Sequence, residues 1–308
     1  MRAFIFPGQG SQAVGMGAAL ADASRAARDV FDEVDEALGQ NLSRLMREGP
    51  EDELKLTENA QPAIMANSIA VLRAWGVRLP DVADFVAGHS LGEYSALCAA
   101  GSFDLATAAK LLKLRGQAMQ QAVPVGQGAM AALLGADLAL AQRIAEAAAQ
   151  GEVCTVANDN DPSQVVISGT KAAIDRAIAM AKDMGAKRAV PLPVSAPFHC
   201  PLMQPAAEAM RDALSYVVVE QPVVPLVANV TAEPVRDPDT IRNQLVEQVT
   251  GMVRWRESVA AMGDAGVEEF VELGGKVLGS MVKRILPDAR VTSVITIDDI
   301  EALAKEIA

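Results

Sequence analysis

The sequence predicts an α/β protein in which helices cover both faces of a parallel sheet and a small ferredoxin-like domain is inserted. The first observation is that short apolar runs typical of buried strands alternate with helical periodicity along most of the chain. The second is that the segment between residues 129 and 194 has the element order βαββαβ. The third is composition, since 51% of the 308 residues are apolar and 21% are charged, which suits a large packed core.

The first strand, predicted at residues 2–6, is an apolar run that leads into a glycine-rich loop at residues 7–12. Gly76 and Gly101 end two of the helices that follow, because glycine readily adopts the left-handed conformation found after a helix. Apolar periodicity predicts a second strand at 83–87 and helices at 26–38, 42–48, 61–75, 91–100 and 105–123.

The inserted domain is predicted at residues 126–195, and the larger domain at residues 1–125 and 196–308. Proline and glycine flank the insert at residues 124–128 and 191–193, as they would at a hinge. Within the insert the pattern predicts strands at 129–134, 153–157, 164–168 and 188–194, and helices at 138–149 and 171–184.

After the insert, strands and helices again alternate, as expected for the rest of a parallel sheet. The predicted strands lie at 223–230, 269–273 and 290–297. The predicted helices are one ending at residue 214, two at 244–253 and 258–265, one ending at residue 285, and one at 298–307.

Charge and cysteine content exclude several classes of protein. The formal net charge of −12 argues against a general nucleic-acid binder and against attraction to an anionic membrane surface. The cysteines, Cys98, Cys154 and Cys200, are too few and too irregularly spaced for a disulfide framework, which indicates reduced thiols. The N-terminus lacks the apolar run of a signal peptide, and no stretch approaches about 18 consecutive apolar residues. We therefore expect a cytoplasmic protein without a membrane span.

The sequence Gly88-His89-Ser90-Leu91-Gly92 matches the pattern G-x-S-x-G between a predicted strand and a predicted helix. In that context the pattern indicates a sharp turn that lifts a nucleophilic serine clear of the sheet edge. The same five residues outside such a context are often a chance match, so the pattern alone does not identify an enzyme.

A nucleophilic serine needs a general base, and the chain has only two histidines. His89 is the neighbour of Ser90 on the turn, where adjacent side chains diverge, so it is the weaker candidate. His199 lies in a loop between two prolines just after the insert; such a histidine is often an exposed bystander, but it is the other available base. Two more features have ordinary explanations when taken alone: the loop at residues 7–12 as a strand-to-helix turn, and Arg115 as a solvated helix residue.

Together these residues resemble the malonyl-CoA:acyl-carrier-protein transacylases and related acyltransferase domains of fatty-acid and polyketide synthesis. The resemblance extends over nearly the full chain. It rests on residues 6–12, 88–93, 115–116, 157–160 and 195–199, and on Gln248 with Trp255 seven positions later.

The resemblance implies an α/β-hydrolase-like large domain with the active site in the cleft beside the ferredoxin-like insert. It implies Ser90 as the nucleophile, His199 as the general base, and the backbone carbonyl of Gln248 as the group that orients the histidine. It further implies that the backbone N–H groups of Gln9 and Leu91 form the oxyanion hole. Arg115 resembles the arginine that binds the malonyl carboxylate, for which a planar guanidinium is well suited.

The resemblance also implies the partners and the reaction sequence. The substrates would be malonyl-CoA and the phosphopantetheine thiol of acyl carrier protein, used in a ping-pong reaction that needs neither a metal nor a bound cofactor, and the protein would be a monomer. Phe198 is the residue type associated with malonyl rather than branched acyl groups, and Gln61 and Asn160 match polar positions near the acyl group. Two sets of basic residues are candidates for docking the acidic carrier: Lys182, Lys187 and Arg188, or Arg254 and Arg256.

Three alternatives differ in what they require of the sequence. A serine esterase or thioesterase on the same turn would have its histidine near the C-terminus and an H-G-G-G-type loop, and no histidine follows His199. A malonyl transferase serving a polyketide synthase or a malonate decarboxylase would differ only in its acceptor. A non-catalytic docking protein would be expected to have lost Ser90, His199 or Arg115.

Overall fold

The computed structural model describes residues 1–307, which form two sheets surrounded by helices. The strands are β1 (Arg2–Phe6), β2 (Phe85–Gly88), β3 (Gly128–Leu134), β4 (Cys154–Asp161), β5 (Gln164–Thr170), β6 (Arg188–Pro191), β7 (Leu226–Val227), β8 (Pro234–Val235), β9 (Glu269–Leu273) and β10 (Arg290–Val294). The helices are α1 (Ala18–Ala23), α2 (Arg25–Leu38), α3 (Leu42–Glu48), α4 (Glu51–Lys55), α5 (Thr57–Trp75), α6 (Leu79–Val82), α7 (Gly92–Ala99), α8 (Leu105–Ala122), α9 (Leu138–Ala149), α10 (Lys171–Ala181), α11 (Gln204–Ser215), α12 (Pro238–Gln248), α13 (Trp255–Asp264), α14 (Leu278–Ile285) and α15 (Ile297–Ile307).

The larger sheet has the strand order β10-β9-β1-β2-β7-β8. Its strands are parallel except for β8, which runs antiparallel to β7 at one edge. In the pairing of β1 with β2, Phe6 lies opposite Gly88, so both strands end at the same edge of the sheet. The glycine-rich loop that follows β1 therefore lies beside the turn that follows β2.

Side chains of β1 alternate between two apolar cores, as expected for a strand buried on both faces. Phe4 and Phe6 face the largest core, whereas Ala3 and Ile5 face a second core that contains Trp255. The prediction of a sheet covered on both faces is confirmed.

The smaller sheet has the order β4-β5-β3-β6, and its strands are antiparallel. With α9 and α10 packed against it, this is the order of a ferredoxin-like βαββαβ unit. The predicted fold class, α/β with an inserted antiparallel unit, is confirmed, while the domain boundaries at residues 126 and 195 stay a prediction.

Several predicted elements differ in extent by a few residues, and two differ for a clear structural reason. The strand predicted at 223–230 is reduced to Leu226–Val227, because Pro222 and Pro225 have no N–H to donate and a turn at Ala228 joins β7 to β8. The helix predicted at 244–253 ends at Gln248, because Val253 leaves the helical path and exchanges backbone hydrogen bonds with β4.

In the described part of the chain, no helix has the length and apolar character needed to cross a membrane.

Candidate active site

Ser90 lies at the turn between β2 and α7 with φ of 55°, a left-handed conformation that is strained for serine. The flanking glycines are required by close backbone contacts. A Cβ atom on Gly88 would lie 1.9 Å from the carbonyl carbon of Gly92, and one on Gly92 would lie 2.2 Å from the oxygen of Phe6. Strand, turn and helix can therefore pack only with glycine on both sides of the serine.

The structure brings Ser90, His199 and Gln248 together in one hydrogen-bonded chain. The Ser90 Oγ lies 2.7 Å from Nε2 of His199, and Nδ1 of His199 lies 2.9 Å from the backbone oxygen of Gln248. Because a carbonyl oxygen only accepts, Nδ1 carries the proton and Nε2 is free to accept one from Ser90. The three residues thus have the geometry of a nucleophile, a base and an orienting group.

His199 is 3% exposed, and its surroundings disfavour the imidazolium form. Burial and the positive charge of Arg115 lower the pKa of His199 to about 3. At neutral pH the ring is therefore unprotonated and able to accept a proton.

Arg115, on α8, is only 1% exposed, so its interpretation as a solvated helix residue is wrong. Its Nη2 donates to Ser90 Oγ at 3.1 Å and to the side-chain oxygen of Gln248 at 2.8 Å, and its Nη1 donates to Gln61 Oε1 at 2.8 Å. The guanidinium carbon lies 5.7 Å from the centre of the Tyr94 ring. Burial lowers the pKa of Arg115, but a guanidinium stays charged at neutral pH. The site therefore holds a fixed positive charge in contact with the serine hydroxyl.

Two residues beneath the turn were not predicted from the sequence. Asn229 accepts a hydrogen bond from the Ser90 N–H at 2.8 Å and donates to the carbonyl of Gly88 at 2.7 Å. Glu93 accepts from the Asn229 N–H at 3.0 Å and from Gln248 Nε2 at 2.6 Å. Glu93 could have been suspected as a carboxyl next to the G-x-S-x-G pattern in an apolar helix, whereas nothing in the sequence around Asn229 marks it.

His89 is half-buried and its ring is engaged elsewhere. Its Nε2 lies 2.8 Å from the side-chain oxygen of Asn160, and its ring packs 5.8 Å from that of Trp255. Burial lowers the pKa of His89. Asn160, expected near the acyl group, is thus bonded to this histidine.

A cleft of about 320 Å³ opens beside Ser90 between the two sheets. The expected oxyanion-hole residues, Gln9 and Leu91, both line it, and Leu91 precedes α7, where backbone N–H groups lack partners within the helix. Other lining residues come from the larger part of the chain (Gln61, Arg115, Met119, Phe198, His199) and from the ferredoxin-like part (Met130, Asn158, Leu192, Pro193, Val194). Ser90, His199 and Arg115 therefore face one small and largely apolar space.

The two predicted docking sets differ in their availability. Lys182, Lys187 and Arg188 are exposed on the ferredoxin-like part. Arg254 is paired with Glu257, and Arg256 with Asp159, so both arginines already have carboxylate partners. Within residues 1–307 there is no group of three His, Cys, Asp or Glu side chains arranged to hold a metal ion.

Comparison with known proteins gives consistent matches over nearly the whole chain. The family model of the acyl transferase domain matches residues 3–281. The malonyl CoA-acyl carrier protein transacylase of Escherichia coli is 47% identical over 285 residues, which is 92% of each chain. The crystal structure of acyl-carrier-protein-S-malonyltransferase from Bartonella henselae matches with a TM-score of 0.97 and 51% identity over 99% of each chain. A malonyl-transacylase in complex with a type II PKS acyl-carrier protein matches with a TM-score of 0.95 and 40% identity over 99% of each chain.

Proposed function

Because the chain belongs to the acyl transferase domain family, we propose that it transfers malonyl from malonyl-CoA to the phosphopantetheine thiol of acyl carrier protein through a malonyl-serine intermediate. The relatives named as malonyl transacylases cover almost the whole chain at 47% and 51% identity. The reaction belongs to fatty-acid biosynthesis.

The observation that carries this proposal is the contact of Ser90 Oγ with both the base and a buried cation. His199 Nε2 lies 2.7 Å and Arg115 Nη2 lies 3.1 Å from the same oxygen. A simple esterase needs the histidine but has no use for a buried guanidinium beside its nucleophile. An acyl group that carries its own carboxylate would pair with that guanidinium while its thioester carbon faces the serine.

In the first half-reaction, His199 Nε2 removes the hydroxyl proton as Ser90 Oγ attacks the thioester carbon of malonyl-CoA. The carbonyl oxygen becomes an oxyanion, which the N–H groups of Gln9 and Leu91 would stabilise. When the intermediate collapses, the carbon–sulfur bond breaks, and the thiolate of coenzyme A takes the proton from His199. Malonyl remains on Ser90 with its carboxylate against Arg115.

In the second half-reaction, the carrier's phosphopantetheine thiol enters the same cleft. His199 takes the thiol proton, the sulfur attacks the acyl-serine carbon, and Ser90 recovers its proton as it leaves. We expect no metal or bound cofactor to take part in these steps.

The acceptor defines a second candidate function. A relative at 40% identity is solved as a malonyl-transacylase with a type II PKS acyl-carrier protein, so a polyketide carrier is a reasonable alternative acceptor for the same chemistry. For an acidic carrier we favour docking on Lys182, Lys187 and Arg188, because these side chains are exposed. We place the protein in the cytoplasm, a reducing compartment that suits its three free cysteines, and we expect a monomer.

The proposal is tested by intact mass after brief incubation with malonyl-CoA or with acetyl-CoA. We expect a malonyl adduct on the wild type, none on Ser90→Ala, and little acetyl adduct. Arg115→Ala should lower the rate of malonylation relative to acetylation by roughly 100-fold, the effect of losing charge-assisted hydrogen bonds to the carboxylate. Arg73→Ala, which removes an exposed arginine from α5, is the matched control and should behave as the wild type.

Two outcomes would contradict the proposal. Free malonate and coenzyme A accumulating without an adduct would mean that water is the acceptor and that the protein is a hydrolase. An adduct that persists in Ser90→Ala would place the nucleophile elsewhere.

A further inference from the structure

Glu93 is a buried carboxyl group to which the proposed reaction assigns no step. It lies in the first turn of α7, three residues after Ser90, and is 1% exposed. Both of its oxygens accept hydrogen bonds: Oε1 from the Asn229 N–H and Oε2 from Gln248 Nε2. A buried carboxylate is costly unless it is hydrogen-bonded, and these two hydrogen bonds offset part of that cost.

The side chain of Gln248 lies between Glu93 and Arg115. Its Nε2 donates to Glu93 at 2.6 Å and to the backbone oxygen of Ser90 at 2.9 Å, and its Oε1 accepts from Arg115 Nη2 at 2.8 Å. A carboxylate only accepts hydrogen bonds and a guanidinium only donates them, so the amide satisfies both neighbours in one orientation alone. The reversed amide would place its NH₂ group against the guanidinium and its oxygen against the carboxylate.

The hydrogen-bond acceptors that contact Arg115 are neutral oxygens, belonging to Gln61, Ser90 and Gln248. Its Nε is buried and has no hydrogen-bond partner in the described residues. A direct ion pair with Glu93 would neutralise the guanidinium and compete with an incoming carboxylate. With Gln248 interposed, Arg115 is held in place but keeps its capacity to bind an anion.

We propose that Glu93 is a positioning residue for acyl-group selectivity: by fixing the Gln248 amide, it aims Arg115 at the acyl group on Ser90. This inference rests on the proposed malonyl transfer. It concerns a residue that touches neither the substrate nor the reacting atoms.

The ionisation of Glu93 is coupled to the same neighbours. Burial raises the pKa of Glu93 to about 7, while the hydrogen bonds from Asn229 and Gln248 and the charge of Arg115 oppose that rise. Tyr94, which follows Glu93 on α7, stays neutral because burial raises its pKa. Burial therefore outweighs these neighbours, and Glu93 is mainly a carboxylate only above about pH 7, which is where its role applies.

The substitution Glu93→Gln changes hydrogen-bonding capacity at nearly constant shape. The Asn229 backbone N–H is fixed, so the new amide would turn its oxygen toward it and its NH₂ toward Gln248. Gln248 would then either hold its NH₂ against that of the new amide or reverse, which would break its hydrogen bond to the Ser90 carbonyl and present its own NH₂ to Arg115, where two donors repel. The expected consequence is a displaced guanidinium, while the hydrogen bonds of His199 to Ser90 Oγ and to the Gln248 backbone carbonyl do not involve the Gln248 side chain.

The experiment measures kcat/KM for acylation by malonyl-CoA and by acetyl-CoA in the wild type, Glu93→Gln, Arg115→Ala and the double variant. We expect Glu93→Gln to lower the malonyl-to-acetyl ratio by about 10-fold in the wild-type background. In the Arg115→Ala background it should change the ratio by less than about 2-fold, because its effect is exerted through that arginine. Equal losses for both acyl groups, or the same loss of ratio in both backgrounds, would overturn the inference.

Two further variants complete the test. Gln248→Met keeps the backbone carbonyl that contacts His199 but removes the side-chain amide. It should lower the malonyl-to-acetyl ratio as Glu93→Gln does. An unchanged ratio in Gln248→Met would overturn the inference even if Glu93→Gln does not fold. The matched control is Glu58→Gln, which removes a carboxylate on α5. That carboxylate pairs with Lys113, a residue on the same helix as Arg115. If the wild type itself forms no malonyl adduct, the proposed function fails, whereas normal wild-type labelling with an unmoved ratio in these variants refutes the role of Glu93 alone.

Discussion

His199 illustrates at the scale of one residue how burial determines chemical behaviour. Its ring has little contact with water, and a cation lies on the far side of Ser90. Both features favour the neutral ring, so the pKa of His199 falls to about 3 from an ordinary value of 6.5. The ring is therefore unprotonated at neutral pH, and in the proposed reaction a proton taken from Ser90 would be held weakly and passed on readily to a leaving thiolate.

The depressed pKa of His199 predicts a pH-dependent contribution to stability. Between about pH 6.5 and 3 the unfolded chain binds a proton at this residue and the folded chain does not, so stability is lost as the pH falls below 6.5. His199→Gln lacks this titration. We expect the stability of the wild type relative to the variant to fall by about 2 kcal/mol between about pH 7.5 and pH 5, measured by urea unfolding. A difference that stays constant with pH would show that the folded and unfolded pKa values of His199 are alike.

At the scale of elements, the turn between β2 and α7 concentrates backbone strain at Ser90. The left-handed φ of 55° costs an L-residue about 1 kcal/mol or more relative to glycine. The strain is maintained by the close packing of Gly88 on Gly92 and by the two hydrogen bonds of Asn229 to the backbone of the turn. The hydroxyl is thereby fixed above the sheet edge instead of moving with a flexible loop.

This strain predicts an unusual order of stability among variants. Ser90→Gly should be more stable than Ser90→Ala by about 1 kcal/mol, because both lack the hydroxyl but only glycine adopts the left-handed backbone without cost. The control is Ser95, buried inside α7, where Ser95→Gly should instead be less stable than Ser95→Ala by a similar amount. Thermal or urea unfolding of the four variants measures both differences. Equal stability of the two Ser90 variants would show that the turn is relaxed.

The sequence predicted elements best where the signal was local. The alternation of apolar runs with helical segments predicted the larger sheet, and the βαββαβ order predicted the smaller one. Helices such as Leu42–Glu48 and Leu138–Ala149 have the predicted ends. The end of α12 at Gln248 was missed because it is caused by Val253 pairing with a strand about a hundred residues away in sequence. Such a contact leaves no trace in helical periodicity.

The same distinction explains which site residues were accessible to sequence reasoning. Ser90 is marked by the G-x-S-x-G pattern, and His199 remained a candidate base because the chain has so few histidines. Arg115 has the sequence environment of a surface helix residue, and only the packing of α5 and α7 around α8 reveals its burial. Its position beside Ser90 was expected solely from the family resemblance.

At the scale of the whole molecule, the ferredoxin-like part is attached to the larger part along β4. Asp159 pairs with Arg256 on α13 at 2.8 Å, and Asp161 pairs with Arg284 on α14 at 2.7 Å. Both carboxylates are fully buried, whereas Arg256 is 32% exposed. Backbone hydrogen bonds between Val253 and β4 reinforce the attachment. The ferredoxin-like part, which forms one wall of the cleft, is therefore attached firmly to the larger part, which forms the other.

The ion pair of Asp159 with Arg256 predicts unequal effects of removing its two partners. Burial raises the pKa of Asp159 despite the adjacent guanidinium, so desolvation outweighs the attraction. Asp159→Asn should consequently cost less than about 1 kcal/mol, because the arginine left behind reaches water. Arg256→Gln should cost about 2 kcal/mol or more, because it leaves a buried carboxylate without its cation. Urea unfolding at neutral pH measures both, and equal losses would contradict this account.

The acceptor that orients His199 is the last carbonyl of α12, a group found in every amino acid. A hydrolase that uses an aspartate at this point can lose it through a single nucleotide change, whereas here every codon at position 248 still encodes the acceptor. Mutation can disable this part of the site only by moving the end of the helix. Natural selection at position 248 would therefore act on the side-chain amide between Arg115 and Glu93. A substitution there would change which acyl group is selected and would leave the carbonyl that contacts His199 in place.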